Sequence, residues 1–359
     1  MIRKDHFLIF LAALLLSFPA FSQGERKDKT AVTYEEIYDE PYSINKLFVA
    51  LQPLYGELFV TNVNVGFGAE VTYYLKDKMD FHGHFRKTYG QKFFDFSRDL
   101  AMKTGDVDNR IQIYNYYEIG ATYHVKDFEQ SSKTKMFLFK NSYKGNKWSA
   151  RVPLNAEIPC KVRKIYGVRL GALMYKSATD LNRAMEKQGL TNFDLKNTDG
   201  SETSLPATHT VNSREQQLDV FTNVYATGIY LGGSMSWIRN VAVNFDKFEE
   251  GIDDLMFTTF VDLIYAPSVR LDDVYYTDKD PVTNPSGQQA RYSVSPLKTQ
   301  AFGFRVGIDG KFNRTWGWSY GGELGMRPSL QGRTFYALVK ISFPVFGTNL
   351  DYKVESFGK

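Results

Sequence analysis

The stretch from Gln300 to Phe346 constrains this chain more than any other, because its residues alternate in character with a period of two. Phe302, Phe304, Val306, Ile308 and Phe312 take the even positions, with Gly303, Arg305, Gly307, Asp309 and Lys311 between them. After a break at Asn313-Arg314, Trp316, Trp318, Tyr320, Leu324 and Met326 oppose Gly317, Ser319, Gly321, Glu323, Gly325 and Arg327. Past the loop from Pro328 to Gly332, Phe335, Ala337, Val339, Ile341, Phe343 and Val345 oppose Tyr336, Leu338, Lys340 and Ser342. Neighbouring side chains on a strand leave opposite faces, so each run has one greasy face and one of glycine, small polar and charged residues.

Any half-buried antiparallel strand shares that period, so length has to decide. Each run is about eleven to thirteen residues, whereas ordinary strands are about five or six and a tilted strand crossing a bilayer needs roughly nine to eleven. A soluble sandwich would turn its apolar faces into a core and its charged faces to bulk water. Three long runs joined by short breaks fit the other arrangement, an apolar band outside and charge inside, as in a transmembrane β-barrel.

The start of the chain points to the same compartment. Arg3 and Lys4, an apolar run from Phe7 to Leu16, and small residues at Ala20 and Ser22 read as a secretory signal peptide over 1–22. No later run is apolar enough for a membrane helix, and the mean hydropathy is −0.35, as expected when averaging over alternating faces hides the membrane band. Cys160 is the only cysteine, which excludes a disulfide framework and a thiolate metal site and leaves a packing residue. A net charge of +4 without a basic cluster excludes nucleic acid as a partner.

Similar alternation recurs along the chain. It runs from Val63 to Leu75, turns at Lys76-Asp77-Lys78, and continues from Met79 to Arg86. It returns at Tyr117 to Val125, Tyr166 to Met174, Leu218 to Leu231, Met235 to Phe245, Leu255 to Tyr265 and Val269 to Tyr276. Weaker strands are expected at Lys46 to Leu51, Lys135 to Phe139 and Trp148 to Val162, and Gly232-Gly233 reads as a hairpin turn. Short helices are expected at Phe93 to Lys103 and at Asp180 to Gln188, the second closed by Gly189. The fold class is therefore all-β: a single antiparallel barrel over 44–346 with about fourteen strands, or twelve to sixteen. Residues 23–43 and 347–359 become periplasmic tails. Short breaks alternate with long ones, which places the short turns on the periplasmic side and the long, helix-bearing loops outside. Aromatic pairs such as Tyr73-Tyr74, Trp316 with Trp318 and Phe343 with Phe346 suit interfacial girdles.

A signal ending Phe21-Ser22-Gln23, Gly- and Tyr-rich dyad strands, and the closing Phe343-Pro344-Val345-Phe346 resemble outer-membrane β-barrel proteins of the Bacteroidota. The resemblance implies location and fold; it names no subfamily and no cargo. One departure is that the chain continues past Phe346 to Lys359, whereas such barrels often end on an aromatic-terminated last strand.

The inward faces carry Glu70, Asp80, Arg86, Glu118, Arg169, Arg305, Asp309, Glu323, Arg327 and Lys340. Charges of both signs can line a water path, or pair across a narrow barrel and fill it. About fourteen strands would leave an open lumen, so the expected function is a passive or gated pore for small polar solutes. The alternative is a plugged barrel serving as a scaffold or interaction subunit of an envelope secretion or assembly complex. Partners on these readings are outer-membrane lipid, small polar solutes, and periplasmic or outer-membrane proteins; no cofactor is called for. His82 and His84 share a face near Asp80 and suggest a metal pair, but no third ligand is evident and Arg86 would repel a cation. Nucleophile elbow, phosphate loop and zinc-protease spacing are all missing, so no catalytic residue is expected.

Overall fold

A computed structural model describes residues 34–59, 62–75, 78–90, 93–95, 106–139, 154–211, 214–245, 248–280, 282, 284–313 and 317–348. The expected signal segment over 1–22, most of the expected helix from Phe93, Trp316 and the residues after Thr348 lie outside these residues.

Ten long strands form one closed antiparallel ring. They are β1 (Leu47–Phe59), β2 (Asn62–Leu75), β3 (Met79–Thr88), β4 (Asn115–Leu138) and β5 (Leu154–Asp180), then β6 (Phe221–Ile238), β7 (Leu255–Leu271), β8 (Phe302–Phe312), β9 (Ser319–Met326) and β10 (Phe335–Thr348). Each strand pairs with its sequence neighbours, and β10 returns to β1 with Leu47 opposite Thr348 and Phe59 opposite Tyr336. Closure leaves the ring without an open edge.

Ten strands replace the expected fourteen because four expected pairs are each one long strand. Lys135 to Leu138 belongs to β4 and Leu154 to Val162 to β5, the start of that expected strand, 148–153, lying outside the described residues; Val269 to Tyr276 divides between the end of β7 and a short strand beyond it. Leu218 to Leu231 and Met235 to Ile238 are one strand, β6. Gly232-Gly233 is not a turn. Gly232 lies between Arg169 and Asp262 in register, and a Cβ there would come 2.1 Å from Asp262 Oδ1. The glycine makes room for a carboxylate, not for a reversal.

The faces are as the alternation requires. Val168, Leu170, Leu231, Leu263, Phe304, Val306 and Val339 are exposed on the outside, Leu263 by 68%. Arg86, Glu118, Asp262 and Arg305 are buried inside. Leu170, Leu231, Leu263 and Phe304 stand side by side across four strands, so the exterior is a continuous apolar belt. A water-soluble fold of this size would bury that much aliphatic and aromatic surface.

Both ends of the ring carry extra structure. At the end away from Leu47 and Thr348, which mark the terminal end, α1 (Leu181–Gln188) forms where expected, with the Asp180 side chain accepting from Arg183 N at 3.3 Å and Gly189 closing it at φ 70°. Leu181, Ala184, Met185, Leu195, Leu205 and Leu330 pack there with Tyr55, Phe59, Tyr175 and Tyr336 of the barrel in one buried core. The expected loop helix at Asp180 to Gln188 thus packs onto this end of the barrel.

The terminal end departs from the expectation of short turns only. β4 runs 24 residues and β5 runs 27, outlasting β3 and β6, so Lys126–Leu138 and Leu154–Val162 project as a two-stranded arm. A small sheet of Tyr34–Asp39, Val241–Phe245 and Gly251–Asp253 contributes Val241, Val243 and Phe245 to a second core with Met136, Leu138, Ile158, Cys160 and Val162 of the arm. Cys160 is a packing residue there, and burial pushes its thiol up to about 11. Alkylation by iodoacetamide at pH 8 is expected to be slow in the folded protein and fast in urea; equal rates would contradict that core.

Candidate functional site

The interior is organised in layers across the barrel axis. Beneath the cap, Arg327 donates from Nη1 and Nη2 to the two carboxylate oxygens of Glu57, each at 3.0 Å. The Tyr114 hydroxyl donates to the same carboxylate at 2.9 Å. The guanidinium lies 4.1 Å from the Tyr336 ring centroid, with Phe59, Tyr114, Tyr116 and Tyr175 around it. An Arg fork matches a carboxylate and stacks on rings at once, which a lysine could not do.

The middle layer is a belt of charge drawn from six strands. Arg305 on β8 donates from Nη1 and Nη2 to Glu118 on β4 at 2.8 and 2.6 Å, and from Nε to Asp262 on β7 at 2.7 Å. Arg169 on β5 holds the other oxygen of Asp262 at 3.0 Å. Arg86 on β3 binds Glu323 on β9 at 2.9 Å, and Tyr336 OH donates to Glu323 at 3.2 Å. Arg305 is 1% exposed.

Glycine faces make this belt possible. In register across β3 to β6 stand His82, Gly120, Gly171 and Tyr230. The Tyr230 ring lies over the two glycines, its hydroxyl 2.0 Å from where a Cβ of Gly120 would be, and reaches His82 Nε2 at 2.7 Å. Arg305 then stacks on Tyr230, 4.5 Å from its centroid. Gly120→Val is expected to displace Tyr230 and cost about 1–3 kcal/mol or more, as overpacking does, read as a lower urea midpoint; an unchanged midpoint would show that the ring does not lie across that wall.

Below the belt a cavity of about 70 Å³ is lined by Glu70, Asp80, His82, His84, Asp309, Lys311 and Lys340, with Ser234, Ser236 and Thr258 on the opposite wall. Lys340 Nζ contacts Glu70 Oε2 at 2.5 Å and Asp309 Oδ1 at 3.0 Å. Asp80 takes His124 at 3.0 Å and His82 at 3.7 Å. The His82 and His84 rings are 5.9 Å apart, yet His82 is committed to Tyr230 and Asp80, and among the described residues no three His, Cys, Asp or Glu groups converge to hold a metal.

The structure places the sequence-derived residues Arg86, Glu118, Arg169, Arg305 and Glu323 in the belt, Arg327 above it, and Glu70, Asp80, Asp309 and Lys340 below it at the cavity. Two central acids were not among them. Asp262 stood in plain alternation between Val261 and Leu263, and that signal sufficed to find it. Glu57 was hidden because register shifts between Leu51 and Leu54 break the alternation along β1.

Fold and interior together define a closed meander β-barrel with an ion-paired lumen and an apolar exterior. No protein-family model matches the chain, and comparison with curated proteins finds no match.

Proposed function

We propose that this chain is an outer-membrane β-barrel held shut to solutes, exported by its signal segment and serving as an interaction or scaffold subunit of an envelope complex. The terminal-side arm with its small sheet, and the folded cap at the other end, are the surfaces it presents. One observation carries this choice over the pore: the belt in which Arg305, Arg169 and Arg86 are paired with Glu118, Asp262 and Glu323 across the lumen. Ions crossing that level would have to separate charge pairs that have little water to replace them. The apolar exterior supports the membrane assignment, since its inside-out burial suits lipid.

Purified protein reconstituted into planar bilayers is expected to give no unitary conductance steps. Steps of constant size from the unmodified chain would return it to the pore class for small polar solutes. On the interaction reading, deleting the arm is expected to remove co-purifying envelope proteins while the barrel still folds.

A further inference from the structure

The strand order imposes a crossing at the terminal end. The short strand Tyr34–Asp39 pairs with Val241–Phe245, which continues from β6, whereas the chain next enters the ring as β1. In a ring of ten, β6 and β1 are five places apart by either route. Glu40–Lys46 must therefore pass from one side of the mouth to the other, and seven extended residues reach roughly 23 Å.

Two asparagines in connections, outside the ring ladder, hold this segment. Asn240 Nδ2 donates to Ser43 O at 2.7 Å and to Glu40 O at 3.1 Å. Asn313 Nδ2 donates to Ser43 O at 3.1 Å, and its Oδ1 accepts from Asn45 N at 2.7 Å. Between these anchors Ile44, 1% exposed, packs with Phe48, Ile165, Ile238 and Met256, with Tyr74 against them. Tyr74 and Lys311 also line the cavity beneath the charge belt, and Lys311 Nζ lies 5.3 Å from the Phe48 ring centroid. The apolar cluster is thus the floor of that cavity, and the belt is its ceiling.

Building on the closed-barrel function, we propose that Glu40–Lys46 is a releasable floor: its displacement joins the charged cavity to solvent at the terminal end while the belt keeps the other side shut. Release breaks no strand pairing in the ring, because β1 is paired on both sides only from Leu47 onward. What it loses is the asparagine hydrogen bonds, the backbone bonds from Glu40 N to Asn240 O at 3.0 Å and from Tyr74 N to Lys46 O at 2.7 Å, the stacking of Arg163 on the Tyr42 ring at 4.4 Å, and the burial of Pro41, Ile44 and Asn45. The open vestibule would present Glu70, Asp309, Lys311 and Lys340 to small polar or charged solutes from that side alone.

Accessibility of the cavity wall tests this in the full-length chain. With Cys160→Ala to remove the native thiol, Ser236→Cys places a single thiol on the wall, and a charged methanethiosulfonate reports its exposure. With the native floor labelling is expected to be slow; adding Asn240→Ala, Asn313→Ala and Ile44→Ser should speed it at least tenfold. Equal rates in the two backgrounds, fast or slow, would overturn the proposal. Ile44→Ser alone, the mildest change, provides the same comparison if the triple variant does not fold, and a cold-gel mobility shift confirms the barrel in each. Planar bilayers separate this from closure by the belt: conductance appearing in the released variant would sink the belt's role and leave the floor standing, whereas unchanged labelling would sink the floor alone.

Discussion

Replacing Arg305 by methionine is expected to destabilise the barrel by about 3–5 kcal/mol, the cost of leaving a buried charge without its partner. The Glu118 carboxylate receives both terminal nitrogens of Arg305 and the Tyr116 hydroxyl at 2.5 Å, with His82 Nε2 further off at 3.8 Å. Asp262 is less exposed to the loss, since Arg169 still donates to it. A double variant, Arg305→Met with Glu118→Gln, should therefore recover a large part of the single variant's deficit. Urea unfolding of the lipid-reconstituted protein, followed by tryptophan fluorescence, measures both. A single variant within about 1 kcal/mol of wild type, the range of an exposed pair, would show that the belt is wet and that the lumen is not shut there.

The second large effect concerns the exterior. Leu231 and Leu263 are register partners in the middle of the apolar belt, and arginine at the midplane of a barrel's lipid face costs about 2–4 kcal/mol. Leu231→Arg with Leu263→Arg is expected to abolish recovery of folded protein from the outer-membrane fraction. Exchanging Arg for Leu on the outside leaves every interior pair intact, so the loss would report on lipid and not on the core. Should the double variant insert normally, or the parent chain fold and stay soluble without detergent, the membrane assignment fails.

The failures of sequence reading are as instructive as the successes. Gly232-Gly233 resembled a hairpin turn because glycine is the default residue at reversals, yet in β6 it clears space for Asp262 Oδ1. Pro153 and Pro159 broke the pattern between Trp148 and Val162, and the distal part of β5 there belongs to the arm, where its partners are β4 and a sheet distant in sequence. The asparagines under the floor carry no local signal, since Asn240 and Asn313 have ordinary loop sequences around them.

What the sequence determined by itself was which side of each strand meets grease and which meets charge: Leu263 against Asp262, Val306 against Arg305, Val339 against Lys340. That information is local, because a period of two needs only neighbouring residues to be expressed. Tertiary structure alone decided how many strands close the ring, and that Arg305 meets Glu118 from 187 residues away. It also decided that the chain must cross the mouth on its way from Asp39 to Leu47. Those depend on register and closure, where each charge finds its partner through the whole ring.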